Sequence, residues 1–240
     1  IFSGFMPVDI ERMFPDLWVD EDSEEGKNLN EAPLIQTQLE RYRRHETFTY
    51  NKINDNEQAE KFVAHLPKNA DLHVVVVNFI DMLSHARTEM KMVRELASNE
   101  AAYRSITQSW FRHSPLSELF RHLAQMDCKV IVTTDHGSIR ATNPVKVVGD
   151  RNTNTNLRYK LGKNLDYNPK EVFEIKDPRK AGLPTPNIST AYIFATGQDF
   201  LAYPNNYNYY VAYYRDTFQH GGISMEEMLI PLITLRPKKR

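Results

Sequence analysis

The chain has 240 residues, 41% hydrophobic and 11% aromatic, so it can bury a sizeable core and is not a disordered segment. Thirty basic against 31 acidic side chains leave a formal net charge of -1, which excludes a global field drawing it to DNA or an anionic membrane; any nucleic-acid contact must be local. The lone cysteine, Cys128, excludes a disulfide framework and a multi-cysteine zinc site, and fits a reducing, cytoplasmic compartment.

No apolar run approaches the roughly 20 residues that span a bilayer, and "IFSGFMPVDIERMFPD" at the start lacks the layout of a signal peptide, so no membrane insertion is expected. Residues 20 to 31, "DEDSEEGKNLNE", read as an exposed acidic loop, and "RYRRHETFTYNKIND" is basic and aromatic without a clear period. "NEQAEKFVAHL" puts Ala59, Phe62, Val63 and Leu66 on one helical face, with Asp55 or Asn56 as N-cap. "LHVVVVNFID" is a nearly unbroken β-branched run, the pattern of a central strand buried on both faces. From Ser84 to Arg112 the absence of Pro and Gly predicts one or two helices. "SPLSELFRHLAQM" follows, with Ser114 as N-cap, Pro115 at the first helical position and a stripe of Leu116, Leu119, Phe120 and Leu123. "KVIVTT" then predicts a second buried strand beside the first, and the strand, helix, strand order indicates an α/β architecture with a right-handed crossover. Residues 141 to 189 read as a surface excursion, "TAYIFATG" and "YNYYVAYYRDTF" as strands, and "SMEEMLIPLITL" as a short helix opened by a Ser224 to Glu227 capping box and a final strand. No repeat and no linker divides the chain, which predicts one domain over 1–240.

Ligands in open α/β sheets bind beyond the carboxyl ends of the strands, and three polar clusters fall there. "NFIDMLSH" carries Asp81 and His85 four apart, close together if a helix starts just after the strand. "TTDHGSI" sets Asp135 beside His136 after the next strand, as metal ligands, a helix cap or a polar turn. His220, in "FQHGGISMEE", precedes two glycines that let the backbone turn tightly. A set of two carboxylates and three imidazoles suits zinc, or manganese as a less specific choice. His65, His113 and His122 read as helix residues and His45 as an exposed one.

The motifs "NFIDMLSH", "TTDHGSI" and "FQHGGISMEEMLIPLITL", with "IFSGFMP" and "GDRNTNTNLRYKLGKNL", resemble those of the PglZ domain, a branch of the alkaline phosphatase superfamily. Within that family the likeness is to the output domain of a response regulator associated with type IX secretion in Bacteroidetes. It implies an α/β, alkaline-phosphatase-like fold with a mostly parallel sheet and helices on both faces, and two divalent metal ions. Asp81, His85 and His220 would hold one ion, and Asp135 with His136 part of the other. The family completes the second half-site with an Asp after an earlier strand and a Thr nucleophile, both N-terminal to "FSG" and so expected upstream of Ile1. The chain therefore reads as a piece lacking its first strand and nucleophile segment, with no catalytic nucleophile among its own residues, and as an impaired enzyme by itself. Ser3 of "FSG" reads as a loop or cap residue.

The chemistry so implied is attack on phosphorus by a metal-activated hydroxyl, forming a phospho-enzyme that water cleaves: a phosphodiesterase acting on nucleotides or oligonucleotides. Arg151, Arg158, Lys160 and Lys163 are candidates to meet the phosphates, against a solvated basic loop as the alternative. The tyrosines of "YNYYVAYY" either stack bases or form the two faces of a strand. A sulfatase is disfavoured, because that chemistry needs a modified Cys or Ser in its own motif. The likeness also implies an upstream receiver domain, a homodimer, and a secretion-system or sigma-factor partner. The competing reading is a non-catalytic regulatory module that dimerises or binds a partner protein.

Overall fold

The computed structural model describes residues 1–19, 29–66, 69–150 and 153–237. In chain order the first elements are α1 (Pro7–Met13), α2 (Glu31–Arg41), β1 (Phe48–Ile53), α3 (Asn56–Ala64), β2 (Leu72–Val77), α4 (Phe79–Glu89), α5 (Lys91–Leu96), α6 (Glu100–His113) and α7 (Pro115–Leu123). They are followed by β3 (Val130–Thr133), β4 (Ile139–Ala141), β5 (Asn143–Lys146), β6 (Tyr159–Gly162), β7 (Phe173–Ile175), β8 (Ala191–Phe194) and β9 (Asp199–Ala202). The chain closes with α8 (Tyr207–Tyr214), β10 (Thr217–Gln219), α9 (Met225–Met228) and β11 (Leu232–Leu235). This mixture of helices and strands, with small parallel sheets, is the predicted α/β class. Among the described residues no helix is long and apolar enough to cross a membrane.

The chain gathers into two compact units, one from 1–45, 141–215 and 219–228, the other from 46–140, 216–218 and 229–240. In the second unit β1 and β2 run parallel, Phe48 opposite Leu72 and Ile53 opposite Val77. The α3 stripe forms as its spacing dictates: Asp55 caps it by accepting from the Gln58 N–H at 2.8 Å, and Ala59 and Val63 pack with Ile53, Leu116 and Leu119. Helices α3 and α7 thus cover one face of the β1–β2 pair. The expectation that β2 is buried on both faces and adjoins β3 is corrected. Its valines are half-buried, and β3 pairs antiparallel with β11, Thr133 opposite Leu232. β2 and β3 lie in separate two-stranded sheets, so each has one strand neighbour, not two. Between Ser84 and Arg112 lie parts of three helices, not one or two, because α4 ends at Glu89 and α6 restarts behind an Asn99 cap that accepts from the Ala102 N–H at 2.9 Å. Phe79 at the head of α4 stacks on Trp110 at 3.8 Å with the rings 1° from parallel.

In the first unit β5 runs parallel to β9, and β6, β8 and β7 form an antiparallel sheet. Val145, Val147, Ile193, Ala195 and Leu201 make one core cluster. Residues 141 to 189 are therefore not only a surface excursion: Val145 in β5 and Val147 just after it are buried in this core. The "YNYYVAYY" segment is helical, not a strand. Tyr207, Val211 and Tyr214, at helical spacing, pack on a cluster of Ala141, Phe200 and Ala202, which outweighs the β-propensity of tyrosine. Tyrosines also stack one turn apart, Tyr209 on Tyr213 at 6.2 Å and Tyr210 on Tyr214 at 6.0 Å. The expected acidic loop lies largely outside the described residues, at 20–28, and Glu31 already belongs to α2.

Candidate metal centre

The first candidate pair sits on α4. Asn78 ends β2 by donating its backbone N–H to the Ile53 carbonyl at 3.0 Å, and the helix begins at the next residue. Asp81 therefore falls in the first turn, where a carboxylate is favoured by the helix dipole, and His85 one turn later on the same face. His85 Nε2 lies 3.7 Å from Asp81 Oδ1, with the side chains 65% and 48% exposed. The helix beneath them is fixed from its buried side. The hydroxyls of Ser84 and Tyr103 are 2.7 Å apart, and Tyr103 also donates to the Ile80 carbonyl at 3.1 Å. Burial raises the Tyr103 phenol above its ordinary pKa, so it stays a donor.

The second pair follows β3. Thr133 Oγ1 donates to the Pro231 carbonyl at 2.8 Å and ties the strand end to the chain entering β11. Asp135 Oδ1 accepts from the His136 N–H at 3.1 Å, and Thr134 Oγ1 donates to the His136 carbonyl at 3.0 Å. The next element is a strand, so Asp135 caps no helix. His136 Nδ1 is 2.9 Å from the Gly137 carbonyl, an acceptor only, so in the neutral ring the proton is on Nδ1 and Nε2 carries the lone pair that can ligate. That Nε2 lies 3.8 Å from Asp135 Oδ1.

Both pairs fit a metal by their chemistry and by their spacing. A carboxylate oxygen and an imidazole nitrogen are ordinary zinc ligands, and manganese tolerates the same set. Two such atoms on one tetrahedral ion sit about 3.4 Å apart, from ligand distances of about 2.1 Å. The observed 3.7 Å and 3.8 Å approach this, and exceed a hydrogen bond. Of the ligand types in the second unit, the ligand atoms of Asp81 and His85 lie within 4.8 Å of each other in a group suited to a metal ion.

His220, in the first unit, is half-buried, and the two glycines after it serve different purposes. Gly221 has φ 103°, a value L side chains rarely adopt. At Gly222 a Cβ would stand 2.7 Å from Arg158 Nη2 and 2.8 Å from the Ala195 carbonyl oxygen. The expectation of a phosphate-facing basic loop is corrected at two residues. Arg158 is fully buried: its Nη2 donates to Glu227 Oε2 at 2.6 Å, its Nε to Oε1 at 2.8 Å, and its remaining donors meet the Gly197, Ala195 and Asp199 carbonyls. Lys160 is equally buried, its Nζ donating to the Asn154 carbonyl at 2.9 Å and lying 4.3 Å from the Tyr203 ring centre. Lys163 is half-buried, and Arg151 lies outside the described residues.

The "IFSGF" segment forms a turn. Ile1, upstream of which the Thr was expected, is exposed, and its alkyl side chain holds no attacking atom; its carbonyl accepts from the Gly4 N–H at 3.2 Å and closes the turn. Ser3 is buried, with Oγ accepting from the Phe5 N–H at 3.1 Å, the behaviour of a turn residue.

Glu227 is the residue whose role the sequence did not disclose. It was legible as a capping-box acid, and it does accept from the Ser224 N–H at 3.0 Å, but its larger partner is 69 positions away. Burial pushes its carboxyl upward, and the hydrogen bonds and charge of Arg158, with the Ser224 and Gly222 N–H groups, outweigh that and hold it below the usual carboxylate range.

A helix that carries Asp and His beyond a parallel strand, with a second Asp-His pair after a later strand, gives this α/β protein donor sets suited to a divalent metal ion. The sequence profile of the BREX system PglZ alkaline phosphatase-like domain matches residues 1–235, and the chain belongs to that family. The membership points to hydrolase activity of the phosphoesterase type and to metal binding. No curated protein matches the chain.

Proposed function

We propose that the chain is a metal-dependent phosphodiesterase domain acting on nucleotides or oligonucleotides, the output domain of a two-component response regulator. The observation that carries this reading is the Asp81–His85 pair on α4, in a chain matched almost throughout by an alkaline phosphatase-like family. Asp81 and His85 offer one oxygen and one nitrogen to an ion, and His220 is assigned as its third ligand. Asp135 and His136 belong to a second half-site, where the Gly137 carbonyl orients the imidazole. Zinc or manganese, when bound, supplies Lewis-acid stabilisation of charge on phosphoryl oxygens. The buried Arg158 and Lys160 are left out of substrate binding, and Lys163 is retained as a phosphate contact.

A regulatory module that dimerises or binds a protein is the second reading. It is favoured by one observation, the apolar side chains of β11, with Leu232 74% and Ile233 47% exposed. The deciding experiment is elemental analysis of protein purified without chelators, joined to a hydrolysis assay on a dinucleotide. Bound zinc or manganese, with cleavage lost in EDTA and restored by the metal, is the expected result. Protein that holds neither ion and shows no metal-dependent cleavage overturns the phosphodiesterase reading and favours the module.

A further inference from the structure

The segment that follows His220 is built around one buried ion pair. Glu227 accepts from Arg158 twice, from the Gly222 N–H at 2.9 Å and from the Ser224 N–H at 3.0 Å, so four donors converge on one carboxylate. The paired side chains are 0% and 2% exposed. Arg158 is itself fixed by the carbonyls at the end of β8 and in the turn to β9, and Gly222 admits its guanidinium only because it has no Cβ. The backbone from Gly221 to Ser224 is thereby held against a rigid sheet, beginning one residue after His220. A fully bonded buried pair of this kind stabilises little by itself, and its attested use is to select one arrangement among several.

We propose that the Arg158–Glu227 pair is the positioning device for His220, fixing the two-glycine turn so that the imidazole is held in place as a metal ligand. The proposal rests on the metal reading above and reassigns Arg158 from substrate contact to support of a ligand. Partners one step removed from a metal typically change its affinity by about 10 to 100-fold.

The test is zinc titration of the full chain by calorimetry, with the visible spectrum of the cobalt(II) form as the readout of ligand geometry. Glu227→Gln should weaken zinc binding by about 10 to 100-fold and alter the cobalt spectrum. Its amide would turn a donor toward Arg158 Nη2 and the Ser224 N–H, where the carboxylate accepts. Val145→Ala, a core change in the same unit, should lower the melting temperature and leave both readouts unchanged. Ser224→Ala should also leave them unchanged, since Ser224 Oγ has no hydrogen-bond partner among the described residues. Should Glu227→Gln fail to fold, Gly222→Ala displaces the same turn and is read instead. Wild-type protein that binds no zinc defeats the metal reading itself. Wild type that binds zinc, alongside a folded Glu227→Gln or Gly222→Ala of equal affinity and identical cobalt spectrum, defeats the positioning role.

Discussion

Arg87 donates through Nη1 to the carbonyl of Asp216 at 2.5 Å, and through Nε to that of Ala97 at 2.5 Å, while its guanidinium lies 4.5 Å from the Phe218 ring centre. Asp216 has φ 65°, sparsely populated for a residue with a side chain, and its carboxylate is also held, by Arg140 at 2.7 Å. Two arginines thus impose the turn into β10. Arg87→Met leaves two carbonyls without a donor, and should destabilise the second unit by about 2 to 4 kcal/mol, read as a lower urea midpoint with an unchanged slope. Arg87→Lys should recover only part of this, because one ammonium cannot reproduce the fork.

Burial lowers the Lys160 ammonium to about 7, despite the Tyr203 ring beneath it. The unfolded chain holds this proton up to about pH 10.4, so between about 7 and 10 the unfolded state binds more protons and stability rises with pH. Lys160→Met should remove this rise. Urea midpoints at pH 7 and pH 9.5 check it: the wild type should gain more than the variant, and equal gains would count against a depressed Lys160.

His85→Ala and His220→Ala should each cost more than about 100-fold in zinc affinity, beyond the range for residues that only support a ligand. His122→Ala is the control. That side chain is on α7, 3.8 Å from Glu118, and its loss should leave metal content unchanged. Elemental analysis after dialysis against a weak chelator decides the matter, and retention of full metal by His220→Ala would remove it from the ligand set.

Asp55→Ala deletes the acceptor of the Gln58 N–H and should cost about 1 kcal/mol in chemical denaturation. Asp55→Asn keeps an acceptor oxygen and should cost little.

The legible parts of the molecule were those encoded within a few residues. Asp55, Ala59 and Val63 declare a capped amphipathic helix by spacing, and Asp81 and His85 meet because they are four apart. What escaped is encoded at long range. Nothing near Thr133 announces that its strand pairs with residues 98 positions on, near Pro231, and nothing near Arg158 announces Glu227. The tyrosine helix misled for another reason: residues 207 to 214 alternate like a strand, and only the cluster waiting for Tyr207, Val211 and Tyr214 selects the helical period. The candidate metal-ligand residues could be nominated as a set because three local motifs follow one another in order, whereas the buried arginine looked like a surface one in any local window.

The chain has two tryptophans, and they fall on opposite sides of its division: Trp18 belongs to the first unit, Trp110 to the second, stacked on Phe79 where α4 begins. Each unit therefore carries its own fluorophore. With Trp18→Phe, the remaining tryptophan emission comes only from the neighbourhood of the helix that bears Asp81 and His85, and with Trp110→Phe, only from the other unit. A pair of conservative replacements thus turns one polypeptide into two single-colour reporters, able to show whether its halves melt together or apart.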